Sequence, residues 1–168
     1  MAVSDISRVD EILKRIEDLT SLYVKVGILS SADGEILMIA NVHEFGCDIP
    51  VTNKMRVFFL HNFGFWTKKD VIKIPERSFI RTSFDENKDE IQTSGEDLID
   101  MVIDGSLEVY KFYEILGETS VNAIKKFIIE GIDPPITQLT IDNKKGKSTP
   151  LINTSRLINA VDYEIVGG

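Results

Sequence analysis

Apolar residues return every three or four positions from Ile6 to Leu19 (Ile6, Val9, Ile12, Leu13, Ile16, Leu19), with Arg8, Glu11, Lys14, Arg15 and Asp18 off the stripe. That period predicts an amphipathic helix. At Ser21 the period drops to two. Leu22, Val24, Val26 and Ile28 alternate with Tyr23, Lys25 and Gly27, the pattern of a half-buried strand. A turn at Ser30 to Gly34 leads into a shorter helix over 35–45, with Ile36, Ile39, Ala40 and His43 on one face and Gly46 placed to end it. Ile72 and Ile74 share one face of a second strand, Val71 and Lys73 the other, and Pro75, which has no amide proton for a ladder, stops it. Past the proline, Ile80, Phe84, Ile91, Leu98 and Val102 fall in one helical stripe. Gly105-Ser106 interrupts that helix. Val109, Phe112, Tyr113, Leu116, Ser120, Ala123, Ile124 and Phe127 form the stripe of the next, in which Gly117 and Ala123 permit close packing. Gly131 and Pro134-Pro135 end it. Two long helices with a short break predict a helical hairpin, with one kinked helix as the alternative.

Thr52 to Phe65 fits no single period. Met55, Val57, Phe58, Phe59, Leu60, Phe63 and Phe65, with Trp66 beside them, suit a helix, a short strand pair or an arm. They are either core or an apolar surface that meets another subunit. The composition turns polar over 136–149, which reads as a mobile loop. Asn153 or Thr154 is then placed to cap one or two helical turns, and Val161, Tyr163 and Ile165 alternate as a last strand. Strands near 22–29, 70–74 and 161–166, forming one small mixed or antiparallel sheet packed against long helices, predict a single α+β domain over 1–168.

Composition narrows the function. With 43% hydrophobic and 27% charged residues the chain is an ordinary globular one. No apolar run approaches the ~20 residues that span a bilayer, and the first residues lack the basic-then-apolar pattern of a signal peptide. Folding in a cytoplasm, away from membranes, is the expectation. A net charge of -8 argues against binding DNA by phosphate neutralisation, which needs clustered Lys and Arg. The charge is uneven: nine acidic residues between Asp85 and Glu108 face only Lys88, while Lys144, Lys145 and Lys147 cluster later. These are a solvated helix face and a solvated loop, or a charge-matched contact between copies.

Catalytic chemistry is not visible. His43-Glu44-Phe45-Gly46-Cys47 begins like a zincin helix, but Cys47 stands where the second histidine is needed, and two ligands do not make a tetrahedral site. His43 lies on the apolar face of its helix and reads as a hydrogen-bonded core residue. Cys47 as a nucleophile lacks an orienting group, and as the single cysteine it excludes an intramolecular disulfide. No phosphate-binding loop or nucleophile elbow occurs. The expectation is a protein that is not an enzyme and carries neither cofactor nor metal.

Five pieces then occur in a telling order: Val24 to Leu29, Ile39 to Gly46 (Ile-Ala-Asn-Val-His-Glu-Phe-Gly), Ile74 to Asp85 (Ile-Pro-Glu-Arg-Ser-Phe-Ile-Arg-Thr-Ser-Phe-Asp), Leu116-Gly117, and Pro150 to Leu157 (Pro-Leu-Ile-Asn-Thr-Ser-Arg-Leu). Together they resemble the neck and tail-completion proteins of tailed bacteriophages, often labelled virion morphogenesis proteins. The likeness spans most of the chain, and its most specific pieces are His43 to Gly46, Pro75 to Phe79 and the closing block. That block departs from the family, which commonly has Asp-Thr-Gly where Asn153-Thr154-Ser155 stands here, and the departure leaves open which ring of the neck is meant.

The resemblance implies a structural virion protein, assembled in the host bacterial cytoplasm. It would form a ring, of six copies by expectation, that ends the tail at its head-proximal side and joins it to the head. Partners would be copies of itself, the tail tube or sheath protein, and a head-tail connector or adaptor protein, with DNA passing unbound. Glu76, Arg77, Phe79 and Arg81 would form the subunit interface. Phe58, Phe59, Phe63, Trp66, Lys144, Lys145 and Lys147 would dock to tube or connector. Glu86, Asp89, Glu90 and Asp97 would give the ring an acidic lumen that repels phosphate. Two other classes compete: a small non-enzymatic binding or regulatory domain, and a hydrolase using His43 with a carboxylate such as Glu44.

Overall fold

The computed structural model describes residues 4–135 and 155–167. They form, in chain order, α1 (Ser4–Ser21), β1 (Leu22–Ile28), α2 (Gly34–Phe45), β2 (Cys47–Pro50), α3 (Asn53–Phe63), β3 (Val71–Ile74), α4 (Phe79–Asp104), α5 (Val109–Glu130), α6 (Arg156–Asn159) and β4 (Val161–Gly167). The fold is a single α+β domain, as the periodicity predicts. The polar stretch 136–149, with Lys144, Lys145 and Lys147, and the cap at Asn153 or Thr154 lie outside the described residues.

The sheet differs from expectation. β1 pairs antiparallel with β4, from Leu22 opposite Gly167 to Ile28 opposite Val161. β3 does not join them. It pairs with β2, Cys47 opposite Ile74 and Pro50 opposite Val71, in a second two-stranded sheet. β2 (Cys-Asp-Ile-Pro) carries one β-branched residue, Ile49, against three in β3 (Val-Ile-Lys-Ile), so β2 leaves no mark in the sequence and β3 is left without its true neighbour.

The core gathers where α2, α4, α5, α6 and the β1–β4 ribbon meet. Phe79, Ile128 and Val161 are almost wholly excluded from water, and Ile36, Ala40, Ile124 and Leu157 are buried with them. Gly117 lets β4 lie close on α5, because a Cβ there would overlap the Tyr163 ring. α4 and α5 form a hairpin and not a kinked helix. Gly105 takes a left-handed conformation (φ 89°) with its amide on the Val102 carbonyl, and the Asp104 carboxylate accepts from the Ser106 amide at 2.8 Å.

Two apolar stripes are less covered than their periods suggest. Phe84 is exposed, while the buried residues of α4 are Phe79, Ser83, Gly95 and Val102. On α1, Val9, Leu13 and Ile16 are exposed. That helix is held from its flank, by the Arg15 guanidinium on the Ile103 carbonyl (3.1 Å) and the Tyr113 hydroxyl on the Leu19 carbonyl (2.6 Å).

Candidate functional site

The two most specific sequence pieces, His43 to Gly46 and Pro75 to Phe79, converge on one corner. Glu44 follows Ile36 and Ala40 at successive helical turns of α2, so it is carried to the buried face. There its carboxylate accepts from the Ile80 amide (3.0 Å), the Arg81 amide (3.1 Å) and Arg81 Nε (3.0 Å). Ser78, at the cap position of α4, makes no side-chain capping bond. A carboxylate from another helix thus satisfies two of the free amides at this N-terminus and sits at the positive end of its dipole.

Arg81 completes the joint. Its Nη2 donates to the Glu44 carbonyl and to Glu76 Oε1, both at 2.7 Å, and its guanidinium lies 4.9 Å from the Phe45 ring centroid. The hydrogen bond to Glu44 is the largest of several effects that raise the Arg81 pKa. Gly46 (φ 72°, ψ 168°) makes the turn between α2 and β2, and a Cβ there would stand 3.0 Å from the Glu76 amide nitrogen and 3.1 Å from the Ile74 carbonyl oxygen. That backbone conformation is essentially restricted to glycine.

The expected interface residues therefore divide. Glu76 and Arg81 are exposed and pair with each other. Arg77 is not Glu76's partner: it is buried, its amide donates to the His43 carbonyl (2.7 Å), and Nε and Nη2 donate to the Pro134 and Pro135 carbonyls at 2.8 and 3.3 Å. Burial lowers its pKa from the ordinary arginine value. Phe79 is a core residue, closed to a neighbouring copy as the chain is folded here. The corner holds this chain together, and of the expected interface residues it offers Glu76 and Arg81 outward, beside the exposed Phe45 ring. Glu44, absent from the expected site, was legible as the one carboxylate at helical spacing from Ile36 and Ala40.

Of the three forms open to the aromatic stretch it takes the helix, α3, which with the loop that runs on to Asp70 is termed the arm, and the reading of it as core is overturned. α3, capped by the Thr52 hydroxyl on the Met55 amide (3.2 Å), buries none of its residues. Phe58, Phe59, Phe63 and Phe65 stack or meet edge to face with centroids 5.7–6.3 Å apart. They form one cluster, and Val57, Phe58, Leu60 and Trp66 are exposed. Arg56 closes the arm's base through the Thr67 carbonyl (2.5 Å) and the Asp70 carboxylate (2.9 Å).

Glu86, Asp89, Glu90 and Asp97 are all exposed on α4. Their spacings of three, four and seven residues gather them on the side away from Gly95 and Val102. No group of three or more His, Cys, Asp or Glu side chains suited to a metal occurs among the described residues, and Cys47 lies half-buried in β2. No helix among them is long and apolar enough to cross a membrane. Comparison with family models, curated proteins and solved structures found no match.

Proposed function

We propose that this chain is a structural protein of a tailed-phage neck. Copies form a ring at the head-proximal end of the tail, end the tail there and join it to the head connector, without catalysis. The observation that carries the proposal is the aromatic arm. A helix with no buried residue, with Phe58 and Leu60 in water and Trp66 exposed just past its end, is a surface built to be covered by another protein. The convergence of the His43 to Gly46 and Pro75 to Phe79 pieces on one corner also supports the resemblance, since it gives both motifs a common physical reason to be kept in order.

In this reading the exposed carboxylates of α4 face passing DNA. A negative wall repels phosphate, so the genome slides instead of sticking. Glu76 and Arg81 stand at the edge of the contact between copies, and the protein's place is the virion, after assembly in the bacterial host. Deleting the coding sequence from the genome that carries it tests this directly. Separate heads and tails, rejoined when the protein is supplied in trans, are expected. Joined, infectious particles would end the proposal.

A further inference from the structure

A groove of about 560 Å3 opens between β1, the first half of α4 and the middle of α5. Val24, Val26, Ile80, Phe84, Ile91 and Leu116 make it apolar, and its volume is in the range of pockets that enclose a ligand. Two of its residues are unfinished within the chain. Phe84 is 56% exposed, and the hydroxyl of Ser83 is buried with no hydrogen-bond partner among the described residues. Buried polar groups ordinarily find a partner. Two charged residues also line the groove. Arg81 is committed to Glu44 and Glu76, which leaves Asp85, continuous with the acidic face of α4, to set the sign.

The arm has the opposite sign. From Thr52 to Asp70 its one acidic residue is Asp70, paired with Arg56, so Lys54, Lys68 and Lys69 leave it basic around its aromatic cluster. Among the described residues the exposed stripe of α1 is a second apolar face that could seat in a groove, but there Asp5, Asp10, Glu11, Glu17 and Asp18 outnumber Arg8, Lys14 and Arg15 and give no attraction to Asp85. Apolar character and charge therefore select the arm as the groove's occupant.

We propose that the aromatic arm of one copy seats in the β1–α4–α5 groove of the next. The inference rests on the ring reading and deepens it: Phe58, Phe59, Phe63 and Trp66 meet a second copy of this chain and not the tube or connector. Arm and groove are different surfaces of one chain, so the contact is head-to-tail, the kind that closes into a ring when its rotation permits.

Mixing two variants tests it. Phe58→Asp spoils the arm and leaves the groove; Phe84→Asp spoils the groove and leaves the arm. Both positions are more than half exposed, so the fold is expected to survive, as circular dichroism will check. In sedimentation velocity the wild type is expected to form higher oligomers and each variant to stay monomeric. The mixture should give a one-to-one dimer and nothing larger, because only one intact contact can form. As a second readout, Phe58→Cys with Phe84→Cys in a Cys47→Ser background is expected to give a ladder of inter-chain disulfides on oxidation. A mixture that stays monomeric, a single variant that assembles like the wild type, or a monomeric wild type together with a cysteine variant that gives no ladder would each overturn the contact. The ring reading fails separately: a ring in particles carrying Phe58→Asp refutes the arm contact alone, whereas wild-type particles with no ring refute the ring.

Discussion

Glu44 is tolerated in a nearly dry position because the amides of Ile80 and Arg81 and the Arg81 guanidinium replace its water. Removing it leaves those donors facing an apolar wall. Glu44→Ala is expected to cost about 2–3 kcal/mol in urea unfolding, whereas Glu76→Ala, which breaks a pair exposed on both sides, costs under about 1 kcal/mol. Equal losses would mean that the corner is an exposed ion-pair network and not a buried cap. Asp104 gives a pH signature. The Ser106 hydroxyl and amide hold its carboxyl below the ordinary value of 3.8. Its contribution is then complete above that value and is lost as pH falls through the lowered one. The stability gap between wild type and Asp104→Asn should close on acidification from about pH 5 to about pH 2; a gap that widens would reverse the assignment. At this scale the sequence was partly legible. Gly46 announced itself by ending a helical period, but the partnership of Glu44 with residues 36 and 37 positions on depends on a tertiary meeting that no local pattern encodes.

α1, α2, α4 and α5 were read nearly to their ends because their stripes run for three turns or more, and the period of two in β1 and β4 was long enough to see. β2 was not, and its absence misassigned β3. Within the α4–α5 hairpin, two buried glycines make opposite predictions. A methyl at Gly95 would meet Leu116 Cδ2 at an ordinary 3.7 Å. Gly95→Ala should therefore stabilise by about 0.4–1 kcal/mol through the entropy of the unfolded chain. A methyl at Gly117 collides with Tyr163, and Gly117→Ala should destabilise by about 1–3 kcal/mol. Thermal melting of the pair checks both signs at once, and a stabilising Gly117→Ala would show that α5 and β4 are not packed as described. The aromatic stretch resisted reading because hydrophobicity alone does not distinguish a buried helix from one awaiting a partner. Only the absence of any buried residue in α3 separates them.

The whole molecule presents three surfaces that its own fold leaves unbalanced: an aromatic basic arm, an apolar groove beside an acidic helix, and the exposed stripe of α1. On α4, Asp85 with Asp89 and Glu86 with Glu90 set like charges one turn apart, each pair destabilising the isolated helix by about 0.2–0.5 kcal/mol. Such features suit a chain whose working form is an assembly. Periodicity made the elements legible, and the resemblance suggested the assembly. How these surfaces meet depends on more than one copy and lies beyond any local reading of the chain. Cryo-electron microscopy of intact particles, at side-chain resolution in the neck, is the decisive experiment. A closed ring of this chain is expected between head connector and tail tube, with the α4 carboxylates lining the channel. A neck that contains no copy of this chain would refute the ring.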